Sequence, residues 1–288
     1  MKALSSTPIH LQWGAIAMAI LFGGSLSAAE VNDSKVGRDS RSLLPHQDGE
    51  DSRITPEAMS AMEELRQAYR SPPGISIKVT GHSSDGHGNF RPIRTSLLIA
   101  ASGDIKLLSP AYNLTHQRGT VYADSTYFPG YLVKTRVPRA PDATVAALQS
   151  IWPLAPLPLE LRIRLASSAR SAFAPMLDAI GEDGAVDVMA GVWPDGTPAQ
   201  GLRFQGGGTD LVVWIDPGTS LVRGVRGRIA HGEQVTDLDE AREVAALDRQ
   251  PAIVVATKDR IPVASFDALR AAWERIHTSP PPPGFGGE

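Results

Sequence analysis

The sequence predicts an α+β protein: a curved antiparallel β-sheet forming an unclosed half-barrel, covered by a mid-chain helical lid. Three observations predict it. Short runs alternate apolar and polar residues at strand spacing in two groups, 75–137 and 186–230. A proline-punctuated helical stretch, 142–179, divides the groups. Connections within each group are short, so neighbouring strands pair antiparallel, and a sheet of six or more twisted strands curls.

The second group carries the clearest local signal. Residues 200–230 read as a three-stranded meander. Leu202 and Phe204 alternate with polar neighbours, and Gly206-Gly207-Gly208 ends the run. An apolar run over 211–215 then meets Asp216-Pro217-Gly218, and the chain returns through Leu221, Val222 and Val225. Proline presets φ at the first central turn position, and glycine is expected to supply positive φ at the next.

The remaining elements follow in chain order. Residues 1–29 have a charged start at Lys2, a short apolar core over 14–22 and small residues Ser27-Ala28-Ala29, the layout of a secretory signal peptide. The core is shorter than the roughly 20 residues of a membrane span. Residues 30–53 are polar and read as a disordered leader. Thr55-Pro56-Glu57 starts a helix by a capping hydroxyl, a first-turn proline and an early acid, and Met59, Met62, Leu65 and Tyr69 follow at helical spacing.

Ile75, Ile77 and Val79 then alternate with polar residues on a first strand, and further strands are expected near 93–101, 105–108, 112–115, 121–123 and 132–137. Pro110 is read as a bulge or edge position. Asp142 caps a helix ending near Trp152. Residues 159–179 read as one helix, kinked or split at Pro175. The acidic run Asp237, Asp239 and Glu240 reads as a solvated loop. Residues 252–257 are apolar, and a helix starts at Ser265 with Phe266, Leu269, Trp273 and Ile276 on one face. The organisation expected is 1–29 signal peptide, 30–53 leader, 54–230 half-barrel domain, 231–278 α/β extension and 279–288 disordered tail.

Composition excludes several function classes. Against 31 Asp and Glu stand only 28 Lys and Arg, which leaves no basic footprint for nucleic acid. The chain has no cysteine, so disulfides, thiol chemistry, cysteine metal sites and a lipid-modified cysteine are ruled out. No nucleophile elbow, phosphate loop, zinc-protease helix or dinucleotide fingerprint occurs. His82, Asp85 and His87 share a loop without a further metal ligand, and His231 with Glu233 lacks a calcium-loop pattern; both read as solvated loops. The expectation is a non-enzymatic protein with no catalytic residue, metal or cofactor.

At this point the chain resembles the Lol-type lipoprotein carrier family (LolA/LolB-like fold) and related outer-membrane lipoprotein-sorting proteins. An exported chain opens with a helix followed by Ile75-Ser-Ile-Lys-Val-Thr-Gly81, a helical insert divides two strand sets, and 211–222 matches the family's apolar strand, Asp-Pro turn and returning strand. The resemblance spans about residues 55–230. It implies an unclosed antiparallel barrel with a helical lid over an apolar cavity, which in the carriers holds lipoprotein acyl chains. The carriers' arginine-bearing proline motif has no counterpart in residues 102–111, so no gating arginine is carried over.

The expected activity is therefore an extracytoplasmic, periplasmic or otherwise exported carrier that shelters a lipid acyl chain or other apolar ligand, with no stable membrane anchor after cleavage near Ala29. Ile77, Val79, Leu97, Ile99, Leu107, Val213 and Ile215 on the strands, with Leu165 and Phe173 on the helical block, are its expected ligand-binding residues. Such positions either line a cavity or fill a sealed core. The alternatives are an envelope protein–protein interaction or sensor module, with Tyr127, Phe128 and Tyr131 as contact, and last an exported hydrolase.

Overall fold

The computed structural model describes residues 52–84, 89–110, 112–137, 141–151, 157–231, 234–255 and 259–278. The expected signal peptide, the expected leader up to residue 51 and the expected tail from 279 lie outside the described residues.

The chain opens with helix α1 (Pro56–Arg70), whose N-terminus is closed by the Thr55 hydroxyl accepting from the Ala58 amide at 3.2 Å. Six strands follow: β1 (Gly74–Ser84), β2 (Phe90–Ala100), β3 (Ile105–Leu108), β4 (Tyr112–Gln117), β5 (Thr120–Ser125) and β6 (Tyr131–Arg136). Three helices come next, α2 (Pro141–Ile151), α3 (Leu159–Leu165) and α4 (Ala169–Ile180). The second strand set is β7 (Ala185–Val192), β8 (Pro198–Gly206), β9 (Thr209–Asp216), β10 (Leu221–His231) and β11 (Gln234–Leu247); β12 (Ile261–Val263) and helix α5 (Phe266–Thr278) finish the chain.

All twelve strands form one sheet in the order β12-β6-β5-β4-β3-β2-β1-β11-β10-β9-β8-β7. Every pair is antiparallel except β12 with β6. The end strands β12 and β7 are not paired with one another, so the sheet is an unclosed half-barrel with helices on its concave face. The α+β expectation holds. Among the described residues, no helix is long and apolar enough to cross a membrane.

The two strand sets are joined by β11, which pairs with β1 over its full length, from Gly74 opposite Leu247 to Ser84 opposite Asp237. The acidic run is thus strand, not loop, and Asp237 and Asp239 are paired with Arg228 and Arg226 of β10 at 2.9 and 2.7 Å. Two glycines allow close strand approach in this part of the sheet. Gly81 on β1 and Gly227 on β10 have φ of 156° and 130°, and a side chain at either would strike the facing carbonyl, of Asp239 and Asp210 respectively. Only glycine supplies such a close approach inside a strand.

Three local expectations are corrected. The helical stretch 159–179 breaks at 166–168, not at Pro175, because Ser168 is extended and its hydroxyl accepts from the Ser171 amide, capping α4. Pro175 lies within α4. Pro110 lies in the tight connection between β3 and β4, which the Ser109 amide closes on the Tyr112 carbonyl at 2.9 Å. In the Asp216-Pro217-Gly218 turn the positive φ falls on Ser220 (52°), while the Asp216 carboxylate accepts from the Gly218 and Thr219 amides. The Asp216 side chain thus closes the turn, and Ser220 takes the positive φ expected of glycine.

Candidate functional site

The concave face is built from strand alternation. A single apolar row runs across eight strands: Val244 faces Ile77, then Leu97, Leu107, Leu114, Ala123, Val133 and finally Val263. A second row, Val188–Leu202–Val213–Val225, crosses β7 to β10 and ends on Glu240 of β11. Cross-strand apolar pairs of this kind are the unit of sheet stabilisation.

Helices α1 and α4 press on this face at β7, β8 and β10, and α3 packs against α1, α2 and α4. Ile77, Val79, Leu97, Ile99, Leu107, Val213, Ile215 and Phe173 are buried in one continuous cluster, and Leu165 packs partly buried against it. Phe173 of α4 stacks on Phe204 of β8 at 5.7 Å. The structure therefore brings the nine residues together in one buried interior. Two clefts open elsewhere: one on the convex face by Trp193 and Trp214, the other along α4 from Arg53 to Ser168.

Helix α3 is the unusual part of the cover. Its sequence is Leu-Glu-Leu-Arg-Ile-Arg-Leu, and Glu160, Arg162 and Arg164 are all buried. The Glu160 carboxylate, with no exposure, accepts from Arg242 of β11, whose side chain is 5% exposed. Arg242 also donates to Glu240 at 2.6 Å. Burial alone would lower the Arg242 pKa, but the charges and hydrogen bonds of Glu160 and Glu240 outweigh it and raise it above the ordinary arginine value. Glu160 Oε2 and Arg242 Nη1 have no hydrogen-bond partner among the described residues.

Arg164 points the other way and donates to the Tyr69 and Pro72 carbonyls at the end of α1, the latter at 3.0 Å. Such a cation suits the negative end of a helix. Tyr69 is fully buried; its hydroxyl accepts from the Val222 amide, and burial, then the Glu160 charge, push its pKa up. At the other end of the cover, Arg53 donates to the Leu177 and Gly181 carbonyls of α4 at 3.3 and 2.8 Å. The cover is thus held to the sheet and to α1 by ions and hydrogen bonds as well as by apolar contact.

Sequence reasoning missed Glu160, Arg164 and Arg242. One signal was present: charges at 160, 162 and 164 lie about 200° apart in steps around a helix, so they cannot all face solvent. The aromatic patch of the interaction-module reading is also corrected. Phe128 lies edge-on to Phe266 and Trp273 of α5 at 5.9 and 5.6 Å, and Tyr131 is buried, which leaves Tyr127 exposed. His82 lies against Phe90; His87 and Glu233 fall outside the described residues. Among the described residues, no group of three or more His, Asp or Glu could hold a metal ion.

No family model and no curated protein matches the chain. Solved structures do. MucB in complex with MucA from Pseudomonas aeruginosa aligns at 13% identity over 68% of this chain, with a TM-score of 0.32. The match spans 59% of that chain, under two thirds of its length. LprF from Mycobacterium bovis aligns at 12% identity over 72% of this chain and 98% of its own, TM-score 0.35. A LolA superfamily protein from Nitrosomonas europaea aligns at 10% identity over 68% of this chain and 94% of its own, TM-score 0.27. The resemblance to the Lol-type proteins is accordingly a remote one.

Proposed function

We propose that the protein is a non-enzymatic carrier of the cell envelope that shelters an acyl chain or other apolar ligand on its concave face when the helical block α2–α4 lifts. The observation that supports this reading most is the pairing of a continuous apolar row across eight strands with a cover held by the buried Glu160–Arg242 ion pair. A cover meant only to seal a core is better served by apolar side chains, since buried ions cost desolvation that their attraction seldom exceeds.

When the block lifts, water reaches Glu160, Arg242 and their unpartnered atoms, which favours the open form. The exposed apolar row opposes it. An acyl chain shifts that balance by covering the row, at ~0.8 kcal/mol for each methylene buried. The exported location rests on the signal-peptide layout of residues 1–29.

The test is uptake of a fluorescent fatty acid, cis-parinaric acid, by wild type and by Glu160→Gln, each shown to be folded by circular dichroism. Removing one ion partner weakens the closed form more than the open one. Saturable uptake, tighter in Glu160→Gln, is expected. No uptake by either protein contradicts the proposal.

A further inference from the structure

The convex face of β7–β10 holds a second, separate arrangement. Residues of one row, Met189, Gly201, Trp214 and Gly224, face outward side by side. In the next row Arg203, Val212 and Arg226 do the same. The Trp214 indole lies against Gly191 and Gly201, where a side chain at either glycine would collide with it or crowd it. Trp193, from the β7–β8 turn, lies in the same way against Gly224. Glycine on three strands makes room for two indoles on a face where strands normally carry polar side chains. Both rings stay half-buried, and an open cleft of about 430 Å³ runs between them over Val212.

We propose that this convex cleft binds a neutral saccharide. Its polar groups come as guanidinium–carboxylate pairs, one beside each end of the Val212 floor. Arg203 holds Asp210 through two bonds of 2.8 Å, and Arg226 holds Asp239 at 2.7 Å. Each pair offers donors and acceptors in a plane while cancelling its own charge, which suits hydroxyl groups and favours neither anion nor cation. The hydrogen bond from Arg203 holds the Asp210 carboxylate ionised, below its ordinary range, so its acceptor role persists at neutral pH. The Arg226 guanidinium lies 4.7 Å from the centre of the Trp193 ring and fixes that indole. This leaves Trp214 as the platform on which the C–H face of a sugar ring rests, with the ion pairs reaching its hydroxyls. The volume is that of a small-ligand site.

The test is titration of the purified full chain with chitotriose and maltotriose, together with an immobilised array of neutral glycans, read by tryptophan fluorescence and by array retention. Saturable binding of at least one neutral glycan is expected. Affinity should fall about tenfold or more in Trp214→Phe and in Arg203→Gln, each ~1.4 kcal/mol or more. It should be unchanged in Lys78→Ala, which alters an exposed ion pair on β1. Both rim variants change half-exposed side chains, and thermal unfolding confirms that they fold. No array retention and no fluorescence response up to about 10 mM overturns the proposal. So does binding that Trp214→Phe and Arg203→Gln leave intact, or a response only to apolar peptides added as a control, which would make the cleft a peptide site.

Discussion

Glu160 sits in a seven-residue helix with apolar neighbours on both sides, and its ion partner, Arg242, lies 82 residues further along the chain. Truncating it leaves a buried guanidinium facing Glu240 alone. Glu160→Ala is therefore expected to lower stability by about 3–5 kcal/mol in chemical denaturation. Replacing the set together, Glu160→Leu, Glu240→Leu and Arg242→Met, removes every charge at once and should come within about 1 kcal/mol of wild type or above it. If the triple variant is as unstable as Glu160→Ala, the ions hold the fold rather than latch the cover. None of this is visible from either segment alone, because the sequence around 160 does not name its partner.

Strands and helices were legible where their exposed faces follow the usual polarity. β1, β3 and β7 match their apolar–polar alternation closely, and α1 starts at the predicted threonine cap. β11 was not legible as a strand. Its inward positions are Leu238, Glu240, Arg242 and Val244, so charge stands where alternation looks for apolar residues, and the run reads as solvated. The same buried ions that hold α3 hid the strand that completes the sheet. The break between α3 and α4 was misplaced for a related reason: a serine cap at 168 outweighed the more conspicuous Pro175.

Edge status is a further property of an element, and it is testable. The Val186 amide and carbonyl bond Arg53 and Thr55, so they point away from β8, and by alternation those of Val188, Ala190 and Val192 do too. A proline at Ala190 removes no ladder bond, and Ala190→Pro should cost within about 1 kcal/mol. Val213→Pro, on a strand paired on both sides, should cost ~3 kcal/mol or more. Equal losses in thermal unfolding would mean that β7 is not an edge.

For the whole molecule, the half-barrel and its helical cover were legible, and so were the nine interior residues as a set. Whether they line a space was not, because strand alternation marks a face as buried without saying what covers it. The structure buries them in one cluster with apolar residues of the helices, so the binding proposed here requires that the helical block move. The decisive measurement is native mass spectrometry of the protein purified from its own envelope without detergent, followed by organic extraction and lipid analysis. A protein mass carrying an apolar species, released on denaturation, is the expected result, and its identity names the ligand class. A bare polypeptide mass, from a protein that also takes up no fluorescent fatty acid, would contradict the carrier reading.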